Sequence, residues 1–228
     1  EKIFIAKQIE EILSNKGCRV LYDNIFKKDT SQKKLKTYSS KYLTSHCDLV
    51  IAIGGDGTML SCSRLYGLQA VPILGINLGK LGFLTDIAPD ELTTKLQEVL
   101  SGEYTLDQRF FLESNLKGSK KKHIALNEVV IHSGAIAQLI EYDLFIDDVF
   151  VFRQKADGII ISSPTGSTAY SLSGGGPIVH PDLDAISIVP MFPHSLSSSP
   201  LVINADSHIR IITVGKKNKA SLSFDSHN

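Results

Sequence analysis

Six consecutive residues, Ile53-Gly54-Gly55-Asp56-Gly57-Thr58, close the apolar run 49–52 and open a helical pattern. A buried strand that ends in glycines lets backbone N–H groups approach an anion, and the following helix adds its positive N-terminal end. Asp56 is the odd member, because a bare phosphate cradle gains nothing from a negative charge. A carboxylate there suits a bound Mg2+ or a hydroxyl that must lose its proton. The same residues also make a tight strand-to-helix turn without chemistry, since Gly and Asp are favoured turn residues.

Two further groups carry chemistry. Residues 163–177, SPTGSTAYSLSGGGP, follow the apolar run 158–161 and gather hydroxyls and glycines in one loop. Neutral hydrogen-bonding groups of this kind suit a sugar, a phosphate or a nucleobase edge. A glycine-rich linker is the alternative, against which stand Tyr170 and Leu172 and the flanking strands. Between the two loops, Asn127-Glu128 pairs a neutral amide with a carboxylate. Neighbours on a strand point to opposite faces, so both reach one ligand only from a strand end or a bulge. Otherwise they are a polar pair at a strand edge.

Taken in order, GGDGT, Asn127-Glu128 and the TGSTAY run at 165–170 resemble the NAD kinase family. Residues 75–86, GINLGKLGFLTD, and 155–158, KADG, add to the resemblance, and 189–196, VPMFPHSL, brings it closest to bacterial members. It runs from about residue 45 to the end. The resemblance implies transfer of a phosphoryl group from ATP to the 2′-hydroxyl of the adenosine ribose of NAD, with a divalent cation, Mg2+. It makes Asp56 the catalytic residue that accepts the hydroxyl proton, with a role as Mg2+ ligand as the rival. Gly54, Gly55, Gly57 and Thr58 then meet phosphates, with Gly57 also against the substrate. Asn127 and Glu128 fork onto vicinal ribose hydroxyls. Thr168, Ala169, Tyr170, Ser171, Leu172 and Ser173 hold the dinucleotide, Tyr170 by stacking on a ring or by packing in the core. Asp157 falls at the nicotinamide end. Lys155 stands where relatives often carry Arg, so charge is kept and bidentate geometry lost. Phe83 and Leu84 match a position near the substrate base or a core position. Gln138 and His227 match more variable ligand positions, and His194 reads as a structural turn residue. The chain has no GxxxxGK[ST] loop and no GxGxxG followed by an acidic residue, so neither a P-loop nor a redox dinucleotide site is supported.

Composition narrows the partners. At 228 residues the chain makes one large domain or two small ones, and 43% apolar residues suffice for a core. Lys+Arg and Asp+Glu are both 24, so the formal charge is zero, which argues against nucleic acid. Lys120-Lys121-Lys122 reads as a solvated turn. Cys18, Cys47 and Cys62 are odd in number and lack metal-ligand spacing. A reducing, cytoplasmic setting is expected, with no membrane partner, as no apolar run nears the roughly 20 residues that span a bilayer. No signal peptide is visible, although without an initiator Met a missing presequence stays open. Relatives have a strand before the first helix and further strands after residues 221–225; both are expected to be absent here.

The elements that must position these residues fall into two halves. A helix over 3–16 puts Ile5, Ile9, Ile12 and Leu13 on one face and stops at Gly17. The apolar run 18–22 follows, then the lysine-rich stretch 27–41, a substrate lid or an exposed connection. Strand 48–53, helix 58–66, strand 70–76 and helix 89–101 complete an α/β half, residues 1–105, with a mostly parallel sheet. From residue 107 helical patterns vanish. Alternation around Tyr142, Leu144 and Ile146, a hairpin turn at Asp147-Asp148, and strands at 158–162, 185–189, 201–204, 208–214 and 220–224 predict an all-β, sandwich-like half, residues 106–228. With Asp56 in one half and the NAD loop in the other, a cleft between them is expected. The resemblance adds a homodimer or homotetramer whose subunits share the NAD pocket.

Overall fold

The computed structural model describes residues 1–28, 35–79, 82–85, 87–134, 138–195, 197–215 and 220–226. The chain divides into two compact units, Glu1–Asp107 and Gln108–Asn228.

In the first unit the order is α1 (Lys2–Ser14), β1 (Tyr22–Asp23), α2 (Asn24–Lys28), β2 (Thr37–Tyr38), α3 (Ser40–Leu43), β3 (Val50–Ile53), α4 (Asp56–Tyr66), β4 (Ile73–Ile76) and α5 (Leu92–Ser101). β3 and β4 run parallel with Ile53 opposite Ile76, and β1 and β2 are parallel as well. The core joins Ile5 and Ile9 of α1 to Leu92 and Leu96 of α5 over Ile76. Residues four apart on a helix share a face, so each pair points the same way. Gly102 ends α5 at φ 84 and returns its N–H to Val99, the left-handed cap that glycine favours. α5 starts at Leu92, later than the periodicity suggests, because residues 89–91 form the turn into it. Only Tyr22 of the run 18–22 is in a strand, since its partner β2 offers only two residues for pairing. Within 27–41 the described residues supply β2; residues 29–34 lie outside them.

The second unit holds β5 (Leu112–Asn115), β6 (Lys122–Ala125), β7 (Glu128–His132), β8 (Ile140–Ile146), β9 (Val149–Ala156), β10 (Gly158–Ser162), α6 (Tyr170–Ser173), β11 (Ala185–Met191), β12 (Leu201–Asn204), β13 (Ile209–Thr213) and β14 (Ser221–Phe224). Five strands form one sheet in the order β12-β11-β10-β7-β14, and three another, β13-β8-β9. All pairings in these two sheets are antiparallel. Val129, Ile159, Ile161, Ile186 and Ile188 of the large sheet pack with Ile140, Tyr142, Leu144 and Ala156 of the small one, the layering of a sandwich. The β8–β9 turn has Asp147 at φ 50 and Asp148 at φ 63, the left-handed pair that matches strand twist in a two-residue hairpin. A hairpin of β5 and β6, Leu112 opposite Ala125, has no clear sequence signal because most of its residues are polar or charged. The outer face of the large sheet carries Val130, Ile160, Val189 and Met191. Among the described residues no helix is long and apolar enough to cross a membrane.

Candidate functional site

The glycine turn after β3 is shaped by contact. Gly54 stands at φ 155, and a Cβ there would lie 2.2 Å from the Thr58 hydroxyl. Gly55 caps α4 in an extended conformation, which puts Asp56 in the first helical turn. The half-buried Asp56 carboxylate is fully oriented by one loop. Its Oδ2 accepts the Phe83 N–H at 2.9 Å, and its Oδ1 accepts the Leu84 N–H at 3.0 Å and the Thr85 hydroxyl at 3.3 Å. Gly82 permits this approach, since a Cβ there would sit 2.2 Å from Oδ1. The loop is stitched in turn by buried Asn77, which donates to the Thr85 carbonyl at 3.3 Å and accepts the Gly79 N–H at 2.8 Å. Gly55 and Gly57 are exposed, and Thr58 is half-buried. Phe83 is 74% exposed, so of its two readings the core position falls away. Leu84 is half-buried.

In the second unit Glu128 is the first residue of β7 and Asn127 precedes it, so the pair stands at a strand end. The strand is central, with β10 on one side and β14 on the other, and not an edge. Both side chains are buried, Glu128 at 2% exposure, yet among the described residues Asn127 Oδ1 and Glu128 Oε2 have no hydrogen-bond partner. Burial first, and the nearby Asp225 carboxylate second, push the Glu128 carboxyl up to about 7, against a smaller opposing effect of the Tyr170 N–H that it accepts. Asp225 itself accepts the backbone N–H groups of residues 126 to 128.

The hydroxyl-rich loop is docked on this pair. The Asn127 carbonyl accepts the Ser163 N–H at 2.9 Å, and the Ser163 hydroxyl donates to the Leu126 carbonyl. Gly166 lies so close that a Cβ would be 2.2 Å from the Asn127 oxygen. Ser167 is buried, donating to the Pro164 carbonyl at 2.6 Å and accepting the Val179 N–H at 3.0 Å. The run continues into α6, whose following glycine packs on the sheet: a Cβ on Gly174 would meet Ile160 at 3.0 Å. Thr168 and Ala169 are half-buried, and Tyr170, Leu172 and Ser173 are exposed. Ser171 turns inward at 0% exposure, and its hydroxyl has no partner among the described residues.

The other expected residues lie elsewhere in the unit. Lys155 is exposed on β9, its Nζ 3.7 Å from a Glu141 carboxylate oxygen. Asp157 joins β9 to β10, and its N–H donates to the Met191 carbonyl at 3.0 Å. Ser162, opposite Glu128, is at the far end of β10, so Asp157 stands about 17 Å along the strand from the Asn127-Glu128 end, at roughly 3.4 Å per residue. Gln138 is exposed before β8. His194 donates its N–H to the Lys155 carbonyl at 2.9 Å in a turn. His227 lies outside the described residues. Sequence reasoning missed the Phe83 and Leu84 amides and Asp225. The only signal for Asp225 was its place at the end of the last apolar strand.

Comparison with known proteins covers both units. Residues 1–104 match the profile of the ATP-NAD kinase N-terminal domain, and residues 126–228 that of the C-terminal domain. The NAD kinase of Teredinibacter turnerae is 49% identical over 218 residues, spanning 94% of this chain and 74% of that protein. The crystal structure of yeast NADH kinase complexed with NADH is similar at a TM-score of 0.78 and 38% identity, over 85% of this chain and 57% of that one. An NAD kinase from Archaeoglobus fulgidus in complex with ATP is similar at a TM-score of 0.76 and 30% identity, over 98% of this chain and 80% of that one.

Proposed function

The chain belongs to the ATP-NAD kinase family, and from that premise we infer that it phosphorylates the 2′-hydroxyl of the adenosine ribose of NAD with ATP, giving NADP. The observation that carries the site assignment is the pair of buried, unpartnered oxygens on Asn127 and Glu128. A buried polar atom without a partner costs free energy that a hydrogen-bonding ligand recovers. Vicinal ribose hydroxyls offer two donors side by side. The exposed members of the loop above, Tyr170, Leu172 and Ser173 with Thr168 and Ala169, hold the rest of the dinucleotide. Lys155 and Asp157 serve its distal end or a second copy's NAD, which the length of β10 between them and Glu128 favours.

Asp56 accepts the proton of the attacking hydroxyl. A carboxylate with a reference pKa of about 3.9 is a weak base toward an alcohol, so proton transfer is late and orientation is much of the work. The amides of Phe83 and Leu84 fix that orientation. Gly54, Gly55, Gly57 and Thr58 admit phosphate at the start of α4. The described residues contain no cluster of three metal-ligating side chains. Mg2+ keeps several waters and binds mainly through substrate phosphates, so it needs no such cluster; Asp56 as its carboxylate ligand is the rival to the proton-accepting role. When bound, the ion balances the charge on the transferring phosphoryl group. The three free cysteines support a cytoplasmic setting. A homodimer or homotetramer completes the proposal. Incubation with ATP, Mg2+ and NAD, with NADH in parallel, should yield NADP or NADPH. ATP turnover on a lipid or sugar, and none on NAD or NADH, would overturn the reading.

A further inference from the structure

Asp225 follows β14 at φ 47, a left-handed position that few side chains adopt without cause. It is 3% exposed, so it has almost no surface to offer a substrate. Its Oδ1 accepts the Asn127 N–H at 2.7 Å and the Glu128 N–H at 3.3 Å, and its Oδ2 accepts the Leu126 N–H at 3.0 Å. Its own N–H donates to the Glu128 carbonyl at 3.0 Å. Three successive amides converging on one carboxylate form a fixed seat for negative charge, and each bond is charge-assisted.

The strand does not need this help. From Val129 onward β7 is paired on both sides, by β10 and β14. The bend at 126–128 does need it, because residues 126 and 127 precede both ladders and Glu128 is paired by β10 alone. The same bend is gripped on its carbonyl side by Ser163 and packed against Gly166. Its main chain is therefore held from two directions, the N–H groups by the carboxylate and the C=O groups of Leu126 and Asn127 by the hydroxyl-rich loop. What the bend leaves without a partner among the described residues is Asn127 Oδ1 and Glu128 Oε2.

We propose that Asp225 is a positioning residue: by seating the three amides it fixes the Asn127-Glu128 backbone so that both unpartnered oxygens meet the ribose hydroxyls of NAD. This rests on the ribose role proposed above for the pair. Asp225 acts through the pair and does not touch the substrate.

Asp225→Asn is nearly isosteric, but one oxygen becomes an NH2 that faces a backbone donor. In the full chain, KM for NAD should rise by about tenfold or more, the effect of one lost charge-assisted bond. KM for ATP should stay within about twofold, since the three seated amides belong to the Asn127-Glu128 bend and not to the phosphate-binding turn. Hydrogen exchange at the amides of residues 126–128, measured without nucleotide, should accelerate by about tenfold for the same reason. Asp225→Glu keeps the charge and both acceptors, and should give an NAD KM between the two. If Asp225→Asn does not fold, that variant carries the test, with raised NAD KM and unchanged ATP KM expected. A folded variant with unchanged NAD KM, or with both KM values rising together, overturns the proposal. Failure of the ribose reading looks different: Asn127→Ala would then leave NAD affinity unchanged while the exchange result at 126–128 stands.

Discussion

Glu128→Gln should make the protein more stable at alkaline pH and a poorer NAD binder. The wild-type carboxyl is buried at 2% exposure, and burial with the nearby Asp225 charge raises it from 4.5 to about 7. Between those values the native protein holds a proton that the unfolded chain has released. Stability attached to this group is therefore present below the unfolded value, falls as pH rises toward about 7, and is lost above it. At about 1.36 kcal/mol per pH unit, the window corresponds to on the order of 3 kcal/mol. Glutamine keeps the shape, one N–H acceptor and a neutral charge at every pH. Urea unfolding of both proteins should give similar free energies near pH 4, and a gain for the variant on the order of 3 kcal/mol near pH 8.5. Taking the difference between the two proteins cancels the other carboxylates. An equal offset at both pH values would refute the reasoning, because Glu128 would then ionise as it does in the unfolded chain. Wild-type NAD affinity should rise from pH 6 to 8 as the carboxylate forms and accepts ribose hydroxyls, and Glu128→Gln should lose this dependence.

Asp56→Asn should lower kcat on the order of 10²–10⁴-fold with NAD affinity little changed; near-normal turnover would remove Asp56 from catalysis. Its amide NH2 must also face either the Phe83 or the Leu84 N–H, so a stability loss of about 1 kcal/mol should appear in thermal melts. Asn127→Ala should weaken NAD binding by roughly 1–3 kcal/mol in titration calorimetry. Its main-chain bonds to Asp225 and Ser163 survive, so a large fall in melting temperature with intact NAD affinity would count against a ribose role. Gly166→Ala drives a methyl to 2.2 Å from the Asn127 oxygen and should cost about 1–3 kcal/mol, with NAD affinity falling in step. Sedimentation across a dilution series should show a homodimer or homotetramer that loses NAD binding as it dissociates; a monomer binding NAD at full affinity would exclude a shared pocket.

Local chemistry determined much of this protein from sequence alone. Ile5 and Ile9, or Leu92 and Leu96, define a helix face by spacing, and Asp147-Asp148 between alternating runs defines a hairpin, because each signal lies within a few residues. The strands over 158–162 and 201–204 were legible for the same reason. So was the strand end carrying Asn127-Glu128, once both side chains were asked to serve one ligand. Partners distant in the chain were not legible. The Asp56 carboxylate is oriented by amides 27 and 28 residues away, and Asp225 seats amides 97 to 99 residues away. No local period encodes such meetings. The same holds for burial within one loop: Ser171 and Ser173 are alike in sequence, but packing on the sheet hides the first and leaves the second exposed. Glu128 shows the consequence most plainly. Its sequence identity fixes an acid of ordinary strength, and only the tertiary fold removes its water, brings Asp225 beside it and moves its proton toward neutral pH.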